Sequence, residues 1–247
     1  MASDIRRFLG ETVTVTVDRP IGSVHPHCPE TVYPENYGYI EGVLAGDGEE
    51  QDAYVLGVDT PVASFTGQVI GIIRRDDDNE DKLIVVPHGR IFCQNEIAEA
   101  LFFQERFFVS EISCMHRKSA GMIVYRREGS EIQYLLLLQE KSLTWSLPKG
   151  HVEPFETEVE AAVREVGEEG GLSLTPHPEF RREISYTIVD GNTKTLVLFL
   201  AQLQGEVRIR EGEIREYCFA NRQESCRLLR HQEYEAVLLE AEAYMEK

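Results

Sequence analysis

The stretch Gly150 to Leu172, GHVEPFETEVEAAVREVGEEGGL, constrains this chain more than any other. It specifies a helix, both of its ends and the chemistry of one face. Thr157-x-x-Glu160 is a capping box, so the spacing predicts a helix from Thr157 with Glu156 and Glu158 near its positive end. Val159, Ala162, Val163 and Val166 fall at i, i+3, i+4 and i+7 and predict a core-facing stripe. Gly170-Gly171 supplies the left-handed stop. Glu165, Glu168 and Glu169 share an i, i+3, i+4 relation displaced round the helix from that stripe, so three carboxylates converge on one patch. Such a cluster repels itself unless a cation neutralises it, and oxygen-only ligands select a hard divalent ion, Mg²⁺ or Mn²⁺. Arg164 is placed to bridge back to Glu156 and fix the loop before the helix. A solvated acidic helix accounts for a run of Glu. It does not account for Gly150, Glu156, Arg164 and the paired glycines at set offsets.

The run fits G-x5-E-x7-R-E-U-x-E-E-x-G-U, with U aliphatic, at every fixed position, and so resembles the signature of the Nudix hydrolases. The resemblance covers Gly121 to the end of the chain. It implies a domain over residues 116–247, a mixed-sheet α/β/α sandwich, in which Glu165, Glu168, Glu169 and the Gly150 carbonyl hold metal. Leu147 to Pro154, LPKGHVEP, resembles the diadenosine tetraphosphate hydrolase branch, and so does EGEIREYCFANRQESCRLL near the C-terminus. That branch implies an additional acidic ligand or base at Glu213. Lys149 and Lys194 are then phosphate partners, and Tyr186, Tyr217 or Phe219 an adenine platform. His151 is an orienting residue at the substrate rather than a metal ligand, because Mg²⁺ prefers oxygen. Phe155 departs from the branch, which has Gly there. The expected reaction is hydrolysis of a pyrophosphate linkage in a nucleoside polyphosphate, best a dinucleoside polyphosphate. Attack is by a metal-activated water, and Glu213 or a motif Glu takes the proton. The alternative is a nucleotide sensor on the same fold, against which the intact R-E-V-G-E-E stands.

The first half carries a second pattern. Val32-Tyr33-Pro34-Glu35-Asn36-Tyr37-Gly38-Tyr39-Ile40 resembles the Y-P-x-N-Y-G-Y-I signature of the soluble inorganic pyrophosphatases. Asp47-Gly-Glu-Glu-Gln-Asp52 resembles their D-G-D-x-x-D metal loop, and Asp76 to Lys82 their next acidic segment. The implied domain is a small β-barrel with a helix over residues 1–115, with a second metal site at Asp47, Glu49, Asp52, Asp76 and Glu80. Three departures weaken the site. Glu49 stands where the family has Asp, the cationic hairpin has no counterpart between Arg19 and Tyr33, and no Tyr-Lys pair follows Phe108. Two readings stay open: a Mg²⁺-pyrophosphate site, or a barrel kept for docking or homo-oligomerisation.

The whole chain thus reads as α+β in two domains. Asp+Glu 43 against Lys+Arg 25 gives a net charge of −18, which excludes a nucleic-acid groove and an anionic membrane surface as partners. The partners expected are a nucleotide and inorganic pyrophosphate. Five cysteines without C-x-x-C spacing, and no apolar signal core at the N-terminus, point to a reducing cytoplasm. Strands are expected at Thr12–Val17, Tyr54–Val58, Val69–Ile73, Leu83–Val86, Arg182–Thr187 and Thr195–Leu203. Helices are expected at Asn95–Phe108 and Glu224–Tyr244. Ser113 to Ser119, SCMHRKS, is polar and basic and reads as a linker.

Overall fold

Alternation along TVTVTVDR sets the first strand, β1 (Thr12–Arg19): Val13 and Val15 turn into a core while Thr12 and Thr14 face out. The structure, a computed structural model, describes residues 5–26, 28–76, 81–188, 191–230 and 232–246. The chain divides into two compact units, residues 1–117 and 118–247. The first unit continues with β2 (Val24–His25), β3 (Cys28–Val32), β4 (Asn36–Leu44), β5 (Glu50–Val55), β6 (Ser64–Arg75), β7 (Lys82–Val86), α1 (Gln94–Glu105) and β8 (Ser110–Cys114). Strands β1-β4-β5-β7-β6 pair in that order, and β6 pairs back to β1, closing a five-stranded barrel with β8 added on β6. Closure removes the sheet edges.

Barrel strands β5 and β7 run parallel, and their paired segments Ala53–Val55 and Leu83–Val85 are apolar and buried on both faces. Val13, Val15, Ala53, Val55, Val69, Leu83 and Val85 form one cluster. Tyr37, Tyr54, Ile70, Ile73, Ile84 and Val86 form another with Ile97 and Leu101 of α1. A buried ion pair, Arg75 to Glu105 at 2.6 Å, ties β6 to α1, and Tyr54 donates to the same carboxylate at 2.8 Å. Gly38 lets β4 cross β1, since a Cβ there would lie 1.9 Å from the Thr16 carbonyl oxygen.

The second unit is built from β9 (His116–Glu128), β10 (Glu131–Gln139), β11 (Trp145–Ser146), β12 (Lys149–His151), α2 (Glu158–Gly170), β13 (Arg181–Thr187), β14 (Thr193–Gln202), β15 (Ile214–Ala220), α3 (Arg222–Leu229) and α4 (Glu233–Met245). Its mixed sheet runs β11-β10-β9-β14-β13, with β12 on β9 and β15 on β10. Alternation in these strands makes two cores. Met122, Val124, Leu135, Leu137, Val197 and Phe199 meet Ala161, Ala162 and Val166 of α2. Ile123, Tyr125, Tyr134, Leu136, Leu196 and Leu198 meet Leu229 of α3 and Val237 and Leu238 of α4. Helices therefore cover both faces of the sheet, an α/β/α sandwich. Among the described residues no helix is long and apolar enough to cross a membrane.

Three local expectations are corrected. His116 to Ser119 is not linker but the start of β9, where Ser119 pairs with His151 and is fully buried. The closing helix is two helices, because Arg230 takes a left-handed φ of 63° and ends α3. In α2 the buried stripe is Ala161, Ala162 and Val166, while Val159 is exposed. Adjacent alanines let the backbone approach the sheet and turn that face inward, leaving Val159 beside the preceding loop.

Candidate active site

Helix α2 begins as its sequence requires. Thr157 accepts from the Glu160 N–H at 3.3 Å and Glu160 accepts from the Thr157 N–H at 2.8 Å. It ends at Gly171, with φ 65° and ψ 23°. These caps fix where the helix points its charges.

Gly150 lies directly against the Glu165 carboxylate. A Cβ at residue 150 would fall 1.9 Å from Glu165 Oε1 and 2.0 Å from Cδ, so only glycine leaves room. Arg164 then organises the loop: Nε and Nη2 donate to the two oxygens of Glu156 at 2.8 and 2.9 Å. Its Nη2 also donates to the His151 carbonyl at 2.9 Å, and Nη1 to Glu165 at 2.7 Å. This bidentate grip holds the Glu156 carboxyl below its usual range and raises the guanidinium. Glu169 is buried; it accepts from Gln139 Nε2 at 3.0 Å and from the Lys149 N–H at 2.9 Å. Burial pushes the Glu165 and Glu169 carboxyls up and the half-buried Lys149 ammonium down.

Glu168 is the exposed member, 3.7 Å from Arg164 and 3.5 Å from Arg210. Arg210 also pairs with Glu213 at 3.2 Å, so one guanidinium links Glu213 to the motif helix. The segment is latched by backbone bonds from Arg208 N–H to the Gly170 carbonyl and from Arg210 N–H to that of Glu169. Beside it opens a cleft of about 490 Å³ lined by Gln139, Lys141, Ser142, Arg210, Glu211 and Glu213. Among the described residues no three His, Cys, Asp or Glu side chains close around a common point. Of the three motif carboxylates, Glu165 is held by Arg164, Glu169 by Gln139, and Glu168 lies between Arg164 and Arg210.

Tyr217 lies on the α2 side of the sheet, opposite Leu137 and edge-on to Phe219. Tyr186 and Lys194 pair across β13 and β14 with Tyr186 against the α3–α4 core, so they are not brought to α2. Gln139 and Arg210 are partners that sequence reasoning missed. Gln139 had one faint signal, a polar residue closing the run YLLLL.

In the barrel, Asp52 accepts from Tyr37 and from the buried Lys82, the latter at 2.5 Å. Arg19 lies 5.0 Å over the Tyr37 ring. Asp47 accepts from the Glu49 N–H at 3.0 Å, and both side chains are exposed at the β4–β5 turn. Asp76 is exposed beyond β6, and Glu80 lies outside the described residues.

Residues 115–241 match the family model of the NUDIX domain, and residues 11–106 that of inorganic pyrophosphatase. The mouse bis(5'-nucleosyl)-tetraphosphatase [asymmetrical] is 33% identical, covering 53% of this chain and 97% of the relative. Inorganic pyrophosphatase of Gluconobacter oxydans is 41% identical over 25% of this chain, which spans 38% of that relative. A solved structure of a C. elegans Ap4A hydrolase binary complex is 27% identical with a TM-score of 0.49, covering 53% of this chain and 98% of that one.

Proposed function

This chain belongs to the Nudix hydrolases and carries an N-terminal inorganic-pyrophosphatase-like domain; from that premise we propose that it cleaves a dinucleoside polyphosphate, such as diadenosine tetraphosphate, with the help of a divalent cation. The observation that carries this reading is the Glu165 carboxylate seated on the Cα of Gly150, gripped by Arg164, with Glu169 buried alongside. A protein that only sensed a nucleotide would have no need of three carboxylates set at such cost. Similarity over 53% of this chain to nearly the whole of an asymmetrical bis(5'-nucleosyl)-tetraphosphatase supports the substrate class.

The donor set suits a hard cation. It is made of oxygens alone, and burial disfavours two of its carboxylates as anions, a cost that Arg164 at Glu165 and the Gln139 and Lys149 donors at Glu169 offset only in part and a bound cation would relieve. Glu165, Glu168, Glu169 and the Gly150 carbonyl would hold Mg²⁺ or Mn²⁺, which when bound polarises a phosphoryl oxygen and acidifies water. The remaining work falls to the chain itself. Lys149, Lys141 and Arg210 offset the charge of the polyphosphate, which the net charge of −18 would otherwise repel. Glu213, held by Arg210, accepts the proton of the attacking water. Arg164 and Glu156 keep the loop from shifting as charge builds, and His151 is oriented through its carbonyl. Tyr217 offers a face for a base.

In the barrel, the half-exposed Arg19 beside Tyr37, next to the Asp52–Lys82 pair, supports a site for inorganic pyrophosphate over a purely docking role, since an arginine within reach of solvent suits a small polyanion.

The test is turnover of a panel of mononucleoside and dinucleoside polyphosphates with Mg²⁺. The reading expects hydrolysis of the dinucleoside compounds. Tight binding of one nucleotide without turnover would replace it with the sensor.

A further inference from the structure

The geometry points to Gln139 as a positioning residue of this site: it fixes the orientation of the Glu169 carboxylate toward a cation and ties it to the segment that carries Glu213. The inference rests on the metal-dependent reading above and assigns to one residue the placement of two groups which that reading uses.

Gln139 closes β10, where the register against β15 shifts between Leu138 and Gln139. An irregularity of this kind re-aims a side chain. The Gln139 amide nitrogen makes two hydrogen bonds, to Glu169 Oε1 at 3.0 Å and to Ser146 Oγ at 3.1 Å. An amide NH₂ has two donors, so both are engaged. Ser146 is buried, and its bond keeps the amide from turning its carbonyl oxygen toward the carboxylate. Glu169 Oε2 accepts from the Lys149 N–H at 2.9 Å. Each oxygen of this buried carboxylate is thus held once, and rotating it breaks one bond or the other. A carboxylate has about four acceptor positions, so two bonds leave room for a cation.

The backbone of Gln139 joins the same residue to the cleft. Its N–H donates to the Thr144 carbonyl and its carbonyl accepts from the Leu143 N–H, both at 3.0 Å. Those bonds close the turn that carries Lys141 and Ser142. The next residue, Glu140, donates its N–H to the Glu213 carbonyl at 2.8 Å. Glu169, the cleft wall and the Glu213 segment therefore share one anchor.

Removing a partner that orients a metal ligand typically costs about 10- to 100-fold in metal affinity or activity. The experiment titrates Mn²⁺ into the intact protein by calorimetry, without nucleotide, for wild type, Gln139→Leu and Ser146→Ala, with thermal unfolding in chelator alongside. Glu165→Gln serves as the reference that marks which binding step belongs to α2. Gln139→Leu removes the donor, whereas Ser146→Ala keeps it and frees the amide to turn. The expected result is α2 binding weaker by about 10- to 100-fold in folded Gln139→Leu, and by a smaller factor in Ser146→Ala. The Mg²⁺ needed for half-maximal turnover of diadenosine tetraphosphate should rise in step, with the nucleotide KM at saturating Mg²⁺ left at the wild-type value. Unchanged Mn²⁺ affinity in folded Gln139→Leu overturns the positioning role while the hydrolase reading stands. Should that variant not fold, unchanged affinity in Ser146→Ala overturns it instead. If wild type binds no Mn²⁺ at α2, the metal-dependent reading itself fails and takes this inference with it.

Discussion

Replacing Gly150 with Ala tests the site where its geometry is tightest. The added methyl would meet Glu165 Oε1 at 1.9 Å, whereas ordinary contact begins at 3.4 Å, so the carboxylate must retreat by about 1.5 Å. Its neighbour Arg164 Nη1, now 2.7 Å away, loses that partner or follows it. Displacement of a reacting group by ~1 Å costs about 10²-fold in rate. The expected loss in kcat is therefore 10²- to 10³-fold, or about 3–4 kcal/mol in barrier. Stability should hardly move. Gly150 is not among the glycines with positive φ, so Ala fits the backbone and restricts the unfolded chain by about 0.4–1 kcal/mol. That offsets the weakened, partly exposed Arg164–Glu165 pair, worth about as much. The assay is steady-state hydrolysis with saturating Mg²⁺, and melting followed by circular dichroism. A variant with near wild-type kcat would refute the placement of Glu165 at the reacting centre. One that unfolds many degrees lower would show that Gly150 serves the fold instead.

Glu158 gives a pH test. Hydrogen bonds from Arg181 and Lys118 hold its carboxyl at about 2, below the ordinary 4.5. A depressed acid contributes stability that is full above 4.5 and lost as pH falls toward 2. Glu158→Gln should flatten that stretch of the stability profile by about 1–2 kcal/mol after solvent screening, read by urea unfolding at successive pH values. Asp52→Asn tests the barrel: phosphate release from pyrophosphate should fall at least 10-fold while nucleotide consumption by the other domain continues. Equal release by both proteins would leave the barrel a docking role.

What could be read from the sequence was what depends on near neighbours. The capping box at Thr157 and Glu160, the left-handed Gly171 and the Arg164–Glu156 bridge all lie within a few turns of one helix, and their spacing is their geometry. Val159 was misjudged because a heptad-like count cannot tell which way two adjacent alanines roll the helix. The break at Arg230 carries no glycine or proline, so nothing local announced it. Residues 116–119 look like linker because their charge is visible in sequence and their pairing with β12 is not. Gln139 and Arg210 reach Glu169 and Glu168 from distant strands and loops. Those contacts exist only once the sheet has formed.

The central claim is that the carboxylates of α2 drive hydrolysis between two nucleosides. Its most direct measurement follows diadenosine tetraphosphate and its products by chromatography, with the intact protein first in chelator and then under a Mg²⁺ titration. The account predicts no cleavage in chelator and saturable cleavage to mononucleotides as Mg²⁺ rises. Cleavage that ignores the metal, or an intact substrate at saturating Mg²⁺, would contradict it.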